Sequence, residues 1–214
     1  MKQFLYSAVA SVALFSSTVF ADDAQMLQQQ LKGLDSLSSA FSQQVFDPQG
    51  QLVSESKGTL QLEQPRKIRW EQQQPDETLF VSNGVDSYYF DPFAEQVTVL
   101  DTSKLIDNTP FILLTTEDEE LWQQFSIKQI EAGFEITPKN TEDAQVEKLT
   151  LHFDEQQQVA ALEVLDQSGQ RSHFHFDAPK RNVDIDDSVF EFTIPEHVFV
   201  DDQRTPQAEI NRGE

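Results

Sequence analysis

Histidines and aspartates are the residues of this chain whose types and spacing come nearest to a site for chemistry. His173 and His175 share one face of a predicted strand, and His152 lies on a neighbouring predicted strand. Imidazoles grouped on one face of a sheet can bind zinc. The alternative is that they occupy the polar face of a strand whose other face carries Phe174 and Phe176. We favour this alternative and expect no metal site.

Three aspartates offer a second possibility, an acid–base set. Asp91, Asp101 and Asp107 each also stand where a turn or a helix cap uses a carboxylate. The chain has 37 acidic residues, so carboxylates are expected to come near one another by chance. It contains no G-x-S-x-G, no H-E-x-x-H and no phosphate-binding glycine loop. The sequence therefore predicts a protein that is not an enzyme and needs no cofactor.

The first 21 residues have the pattern of a secretory signal peptide. Lys2 gives a positive start, Phe4 to Phe20 is mostly apolar, and Ala21 ends a small-residue cleavage pattern. The alternative is a membrane anchor, but the segment is short for a span and is interrupted by serine and threonine. We expect cleavage after Ala21, a single mature domain over residues 22–204, a polar tail over 205–214, and a periplasmic location.

Composition narrows the classes of partner. The formal net charge of −22 disfavours nucleic acid, because phosphate contacts need basic patches. Of the 214 residues, 38% are hydrophobic and 17 are phenylalanine, which suits surfaces that stay dry. The chain has no cysteine, so packing alone must hold the exported protein together. We expect a monomer.

The elements that must position any site are short strands. From Gly58 to Val99 apolar and polar residues alternate, with breaks at Pro65 and Pro75 and a hairpin signal at Asn83-Gly84. The same alternation resumes after residue 124. The sequence thus predicts about ten strands in one strongly curved antiparallel sheet, open or nearly closed into a barrel.

Two short elements are available to cover the apolar face of this sheet. Asp22 and Asp23 can cap a helix that carries leucines at helical spacing up to Leu34. Residues 101–122 form the second element, which includes four consecutive bulky apolar residues from Phe111 to Leu114. Such a run is either a buried seal on an ordinary core or a lid over an apolar cavity, and a curved sheet with a small cover favours the lid.

Several motifs resemble those of the outer-membrane lipoprotein carrier proteins, the LolA family, over nearly the whole mature chain. The residues that carry the resemblance are Gly58-x-Leu60, Pro65-x-x-x-Arg69-Trp70, Gln74-Pro75-Asp76-Glu77, Val81-Ser82-Asn83-Gly84, Asp91-Pro92-Phe93-x-Glu95-Gln96, Asn108-Thr109-Pro110-Phe111-x-Leu113 and Val200-Asp201-Asp202-Gln203-Arg204.

The resemblance implies a fold and a function. The fold is a mainly β, unclosed antiparallel β-barrel covered by a lid of short α-helices. Its cavity takes the acyl chains of lipoproteins, which arrive from an ATP-driven (ABC) transporter complex in the inner membrane. The carrier crosses the periplasm and passes its cargo to an outer-membrane lipoprotein receptor, without hydrolysing anything itself.

The resemblance and the alternation together give a set of candidate site residues. The acyl-chain cavity is expected to be lined by Leu60, Leu62, Ile68, Trp70, Val81, Tyr88, Phe90, Val97, Val99, Phe153, Leu162 and Val164. The lid is expected to contain Leu27, Leu31, Leu34, Leu105, Phe111, Ile112, Leu113 and Leu114.

Gln64 stands where the family has an arginine that ties the lid in its closed state. A glutamine can donate hydrogen bonds to lid carbonyls, but without the strength that a charge adds. Arg66 or Arg69 could take over the tie, although alternation turns Arg69 away from Trp70. The resemblance therefore predicts a looser lid in this chain.

Two other functions remain open at this point. One is a periplasmic sensor of the same fold that detects lipid or misfolded protein. The other is a structural β-domain with a filled core and no ligand, which would not bind an apolar dye in its native state.

Overall fold

The computed structural model describes residues 22–102, 110–141 and 144–204. The predicted signal peptide, the polar tail and Leu105 lie outside these ranges. The helices are α1 (Asp23–Leu31), α2 (Glu119–Trp122) and the 3₁₀ helices Pro110–Thr115 and Asp187–Phe190. The strands are β1 (Ser36–Phe46), β2 (Leu52–Glu63), β3 (Lys67–Gln74), β4 (Thr78–Asn83), β5 (Asp86–Asp91), β6 (Gln96–Asp101), β7 (Phe125–Ile130), β8 (Gly133–Pro138), β9 (Val146–Phe153), β10 (Val159–Asp166), β11 (Arg171–Arg181) and β12 (Phe199–Asp202).

All the strands of the described ranges belong to one sheet, in the order β12-β6-β5-β4-β3-β2-β1-β11-β10-β9-β8-β7. Every neighbouring pair is antiparallel except β12 and β6, which run parallel. In this part of the chain β7 and β12 form the two edges, so the sheet curves without closing. The predicted open, strongly curved β-sheet is confirmed. The final strand differs from the prediction in being parallel.

The β4–β5 hairpin shows how local sequence fixes the register. The side-chain oxygen of Asn83 accepts hydrogen bonds from the backbone N–H groups of Val85 and Asp86, both at 2.9 Å. Gly84 has φ +94, which glycine adopts without strain. The turn places Ser82 opposite Ser87 and thereby sets the register of the two strands.

One apolar cluster fills the inner face of the sheet, which we define as the face that α1 covers. Leu27 and Leu31 of α1 pack there together with Leu113, Leu114 and Trp122 of the second covering element. The sheet contributes large side chains from both of its halves, including Phe41, Leu60, Leu62, Ile68, Phe134, Ile136, Leu149, Leu151, Leu162, Phe174 and Phe176.

A second, smaller apolar layer lies on the outer face of β4, β5 and β6. The ring of Phe192 stacks against the rings of Tyr88 and Phe90, at centroid distances of 5.4 and 5.8 Å. Phe190 is buried in the Asp187–Phe190 helix, which lies against β3 and β4. The segment that follows β11 therefore covers this outer face.

Lys67 fastens the same segment to β3. Its ammonium group contacts carboxylate oxygens of Asp187 and Glu63, both at 2.6 Å. These hydrogen bonds raise the pKa of Lys67. The lysine therefore stays charged and keeps the covering segment attached to the strand.

The start of α1 differs from the predicted cap. Asp22 occupies the N-cap position, but its side chain makes no capping hydrogen bond. Asp23 instead accepts a hydrogen bond from the backbone N–H of Gln129, at 2.9 Å. Gln129 lies on edge strand β7, whose free N–H groups need partners. The carboxylate thus attaches α1 to the sheet edge. None of the helices within the described ranges is long and apolar enough to cross a lipid bilayer.

Candidate functional site

The floor of the candidate site is an apolar surface on the inner face of β2, β3 and β4. Leu60 pairs with Trp70, which in turn pairs with Phe80, and Leu62 pairs with Ile68. Residues directly opposite one another on antiparallel strands share a face. These five side chains therefore form one continuous surface.

Aromatic rings extend this floor towards the other half of the sheet. The ring of Trp70 lies 4.1 Å from that of Phe41 and 5.1 Å from that of Phe174. The close approach depends on Gly58, which stands opposite Phe41. A Cβ at residue 58 would lie 1.9 Å from the carbonyl oxygen of Glu71 and 2.8 Å from the Phe41 ring. The motif glycine thus makes room for the ring cluster.

A cavity of about 320 Å³ opens above this floor. Six of its lining residues are apolar or aromatic, and among these six only Trp70 has a polar group. The other four lining residues are polar and uncharged. The lining consists of Leu60, Leu62, Ile68, Trp70, Phe80, Phe174, Gln43, Gln72, Thr78 and Tyr89. An apolar cavity with a few polar groups is the usual form of a small-molecule or lipid site.

Two covering elements meet over the inner face. Leu31 of α1 and Leu113 and Leu114 of the Pro110–Thr115 helix are all buried. A groove of about 510 Å³ runs between these elements. Its lining includes apolar side chains of both elements and the polar residues Gln64, Glu117 and Glu119. The covers therefore touch the same core but remain separate elements.

Gln64, at the end of β2, is tied to the first cover. Its side-chain nitrogen donates a hydrogen bond to the backbone oxygen of Leu34, at 3.0 Å. Its backbone N–H donates to the oxygen of Asp35, at 2.9 Å. The glutamine thus holds the segment just after α1 by uncharged hydrogen bonds.

Arg66, two residues further on, is tied to the second cover. Its backbone N–H donates to the oxygen of Thr115, at 3.0 Å, and its guanidinium lies 3.1 Å from a carboxylate oxygen of Asp118. Asp118 also caps α2 by accepting a hydrogen bond from the N–H of Glu120, at 3.0 Å. Arg69 lies on the outer face, where it contacts Glu71.

The other end of the second covering segment reaches the same turn. The hydroxyl of Ser82 donates to the backbone oxygen of Arg66 at 2.9 Å, and it lies 3.0 Å from the hydroxyl of Thr102. The Thr102 hydroxyl also lies 2.8 Å from that of Ser87. All three hydroxyl residues are buried. Arg66 therefore contacts Thr115 directly and is linked to Thr102 through the hydroxyl of Ser82.

Five of the predicted cavity residues do not reach this site. The register places Val81 opposite Arg69, one residue away from the floor position that Phe80 occupies. Tyr88, Phe90, Val97 and Val99 share the outer face with Val81. Of these, Tyr88 and Phe90 pack against Phe192 of the segment after β11. The prediction that they line the cavity is wrong for Val81, Tyr88, Phe90, Val97 and Val99.

The other predicted residues have mixed outcomes. The structure brings Leu60, Leu62, Ile68, Trp70 and Leu162 to the inner-face cluster, and Phe153 and Val164 pack against it. Among the predicted lid residues the cluster contains Leu27, Leu31, Leu34, Leu113 and Leu114. Leu105 and the side chains of Phe111 and Ile112 lie outside what the structure describes.

Phe80 and Tyr89 are the lining residues that the alternation assigned to the wrong face. The signal that identifies them is the hairpin itself. With Ser82 opposite Ser87, Phe80 must stand opposite Tyr89 on the same face, and Trp70 stands opposite Phe80 on the next strand. Counting from the turn would have found both.

The histidines and aspartates lie away from the cavity floor. His152 and His173 have ring nitrogens 3.3 and 3.9 Å from one carboxylate oxygen of Glu163. No group of three or more histidine or acidic side chains within the described ranges could hold a metal ion. Asp91 accepts a hydrogen bond from the N–H of Ala94, the turn role considered above. Asp107 lies outside the described residues.

The sequence of this chain is similar to those of known carrier proteins. A family model described as outer membrane lipoprotein carrier protein LolA matches residues 32–193. An outer-membrane lipoprotein carrier protein of Pseudoalteromonas translucida is 50% identical over 192 residues, which cover 89% of this chain and 92% of that one. One from Shewanella loihica is 38% identical over 189 residues, which cover 88% and 90%.

A solved structure shares the fold. The crystal structure of an uncharacterized conserved protein from Thermus thermophilus superimposes with a TM-score of 0.53, covering 85% of this chain and 100% of that one. The two sequences are 10% identical, so the likeness shows the fold alone.

Proposed function

This chain belongs to the LolA family of outer membrane lipoprotein carrier proteins, and on that premise we propose that it carries lipoproteins by holding their acyl chains. The cavity above Trp70 and Phe80 receives the chains, and α1 and the Pro110–Thr115 helix cover them. The protein binds and releases its cargo without breaking any bond in it.

The observation that carries this proposal is an apolar cavity on the same inner face of the sheet against which two separate covers pack. Each CH₂ group that leaves water contributes about 0.8 kcal/mol, so acyl chains cannot cross an aqueous space unprotected. A cavity of about 320 Å³ is at the small end of the roughly 300–1,000 Å³ that hold one drug-sized ligand. The acyl chains of a lipoprotein therefore require the covers to move outward.

The ties at the β2–β3 turn determine how firmly the covers close. Gln64 holds the end of α1, and Arg66 holds the second cover. A ligand shifts the equilibrium from the closed to the open state only by the difference in its binding free energy for the two states. Weak ties of this kind allow loading and also keep release possible.

The proposal includes a location and partners. Residues 1–21 direct export and are removed, and the mature domain works in the periplasm. An inner-membrane ABC transporter complex supplies the lipoprotein, and an outer-membrane lipoprotein receptor accepts it. The family membership and the leader-like sequence support these steps.

A release assay tests the function directly. Inner-membrane vesicles that contain the transporter complex and a labelled lipoprotein are mixed with the mature protein and ATP, and then sedimented. We expect label in the supernatant, bound to this protein. Label that stays in the pellet, while a known carrier releases it under the same conditions, would contradict the proposal and favour the sensor function.

A further inference from the structure

One side of β12 has no neighbouring strand within the described ranges, because β12 stands at the edge of the sheet. The N–H groups of Phe199 and Gln203 donate to backbone oxygens at and beside β6, at 2.8 and 2.9 Å. In a parallel pair, successive residues direct their N–H and C=O groups alternately towards the partner strand and away from it. The backbone groups of Val200 and Asp202 therefore point away from β6.

Large apolar side chains accompany this edge into the solvent. Phe199 is 67% exposed and Val200 is 42% exposed, on opposite faces of the strand. Phe93 is 93% exposed in the β5–β6 turn, two residues before Glu95, whose carbonyl oxygen accepts the N–H of Phe199. Single exposed apolar residues are common on protein surfaces, but these three belong to one unpaired edge and the turn beside it. Such an edge is a surface on which another strand can pair.

The charge along this edge is negative. From Glu191 to Asp202 the sequence has four acidic residues and no lysine or arginine. The following Arg204 is already bound to Asp202 and Asp86, at 2.6 and 3.3 Å. Asp201 makes no ion pair within the part of the chain that the structure describes, so its charge remains available to a cation from outside.

We propose that the β12 edge, defined as Phe199–Asp202 with the exposed Phe93 beside it, binds an extended segment of another protein. The segment adds to the sheet as a further strand, and its backbone bonds to the outward groups of Val200 and Asp202. An apolar pair of the segment stands opposite the first two residues of β12, and a basic pair stands opposite its two aspartates. None of the β12 residues lines the cavity above Trp70.

Two other occupants fit this edge less well. A second copy of the chain would bring the same acidic edge against itself, and like charges opposite one another are destabilising. The tail over residues 205–214 contains Pro206 and has two glutamates against one arginine, so it lacks a basic pair. Acidic residues on a short edge strand discourage pairing between copies, but they attract a basic strand.

A peptide titration tests the proposal. The probe is a short fluorescein-labelled peptide with two lysines followed by two valines and flanked by threonines, and its match has glutamate in place of lysine. Binding to the mature protein is followed by fluorescence anisotropy at about 0.15 M salt, where exposed charges more than about 8 Å apart are largely screened. We expect the basic peptide to bind and the acidic peptide to bind about tenfold more weakly or not at all.

Val200→Pro tests whether backbone pairing is responsible. The N–H of Val200 does not face β6, so a proline at this edge position leaves the β12–β6 pairing intact. It removes one outward donor without changing the charge, and we expect binding of the basic peptide to weaken by about tenfold. Val200→Thr is the matched control, because it keeps the N–H and should bind the peptide nearly as the unaltered protein does.

The edge amides report where the peptide lies. With saturating basic peptide, the N–H groups of Val200 and Asp202 should exchange with solvent about tenfold more slowly by NMR, because new hydrogen bonds protect them. Phe199 and Gln203 serve as internal references, since their N–H groups already bond towards β6.

A charge change tests the electrostatic part. Asp201→Asn should weaken binding of the basic peptide about two- to fivefold, as expected for an exposed ion pair. Glu155→Gln makes the same change in net charge at the exposed β9–β10 turn and should leave binding unchanged.

Several results would overturn the inference. They are equal binding of the two peptides, unchanged binding by Val200→Pro, or protection of amides that excludes Val200 and Asp202. Binding that appears only after residues 205–214 are removed would assign the edge to the tail, and a dimer that Val200→Pro abolishes would assign it to a second copy. None of these measurements involves an acyl chain, so failure of the carrier function appears separately in the release assay.

Discussion

At the scale of single residues, Gln64 makes an uncharged hydrogen bond at a position where the family resemblance implies an arginine. Its amide nitrogen donates to the backbone oxygen of Leu34, at 3.0 Å. A neutral hydrogen bond contributes about 0.5–1.5 kcal/mol to stability, and one with a charged partner about 1.5–3 kcal/mol. We therefore expect the first cover to be held less firmly than an arginine would hold it.

Gln64→Arg should slow the release of cargo. A gain of about 1 kcal/mol in the closed state corresponds to roughly fivefold slower transfer to the outer-membrane receptor. The measurement is the rate at which labelled lipoprotein passes from the carrier to receptor-containing vesicles. Gln64→Ala should change the rate in the opposite direction. Transfer rates that are the same in all three proteins would refute the role of this residue.

Gly58 gives a second prediction at this scale. Gly58→Ala places a methyl group 1.9 Å from the Glu71 oxygen and 2.8 Å from the Phe41 ring, so the strands or the ring must move. Overpacking of this kind costs about 1–3 kcal/mol. Urea unfolding should show that loss, whereas Ser54→Ala on the exposed end of the same strand should show almost none. An unchanged unfolding midpoint for Gly58→Ala would contradict the packing described.

At the scale of elements, the β2–β3 turn acts as the common attachment of both covers. Gln64 holds the segment just after α1, while Arg66 contacts Thr115 at the end of the Pro110–Thr115 helix and Asp118 beyond it. The two attachments use different residues and different chemistry. Each cover should therefore loosen independently of the other.

Asp118→Asn should loosen the second cover and leave α1 in place. The ion pair is about one-third exposed, so its loss costs only about 0.2–1 kcal/mol. Asparagine still caps α2, because its side-chain oxygen can accept from Glu120. Hydrogen exchange should become up to about fivefold faster in residues 113–122.

Two comparisons test whether the Arg66–Asp118 ion pair causes the faster exchange. Residues 23–31 of the same variant should exchange at the original rate. Glu117→Gln changes the charge equally but forms no ion pair with Arg66, so it should leave residues 113–122 as they were. If the two variants behave alike, the effect comes from charge and not from the tie.

An ion pair between Asp202 and Arg204 lies at the end of edge strand β12. Hydrogen bonds from Arg204 lower the pKa of Asp202 from 3.8 to about 2. Because the folded-state pKa is the lower one, the pair's contribution is present above about pH 4 and is lost as the pH falls through about 2. Arg204 also lies 3.3 Å from Asp86, which joins β12 to β5.

Arg204→Gln should therefore raise the pKa of Asp202 towards 3.8. The carboxyl carbon of Asp202, followed by NMR during an acid titration, reports the change directly. Asp201 provides an internal reference, since Arg204 makes no ion pair with it among the contacts described. A midpoint for Asp202 that stays near 2 in the variant would show that another group lowers it.

The elements also show where sequence reasoning succeeded. Alternation with proline and Asn-Gly breaks located the strands, and it placed Leu60, Leu62, Ile68 and Trp70 on the inner face correctly. It failed on β4 to β6 because both faces of these strands carry apolar residues: Phe80 and Tyr89 on one, Val81 and Tyr88 on the other. The sequence did not reveal that the segment after β11 covers the second face.

At the scale of the whole molecule, the sheet has an apolar layer on each face, but the two layers have different covers. The inner face of β2 to β4 has an open cavity and two separate short covering elements, whereas the outer face is covered by the chain that follows β11. A filled β-domain would have no such asymmetry. We therefore expect movement on the inner side and rigidity on the outer side.

The central position of β1 has a consequence for biosynthesis. β1 pairs with β2 on one side and with β11 on the other, so Leu37 contacts both Leu62 and the distant Arg181 in the register. A ribosome completes β1 to β6 long before it reaches β11. Until then the nascent chain exposes the unpaired edge of β1 and the apolar ring of Phe41, which favours aggregation. We therefore expect the half of the sheet built by β1 to β6 to stay prone to aggregation until β11 is available to pair with β1.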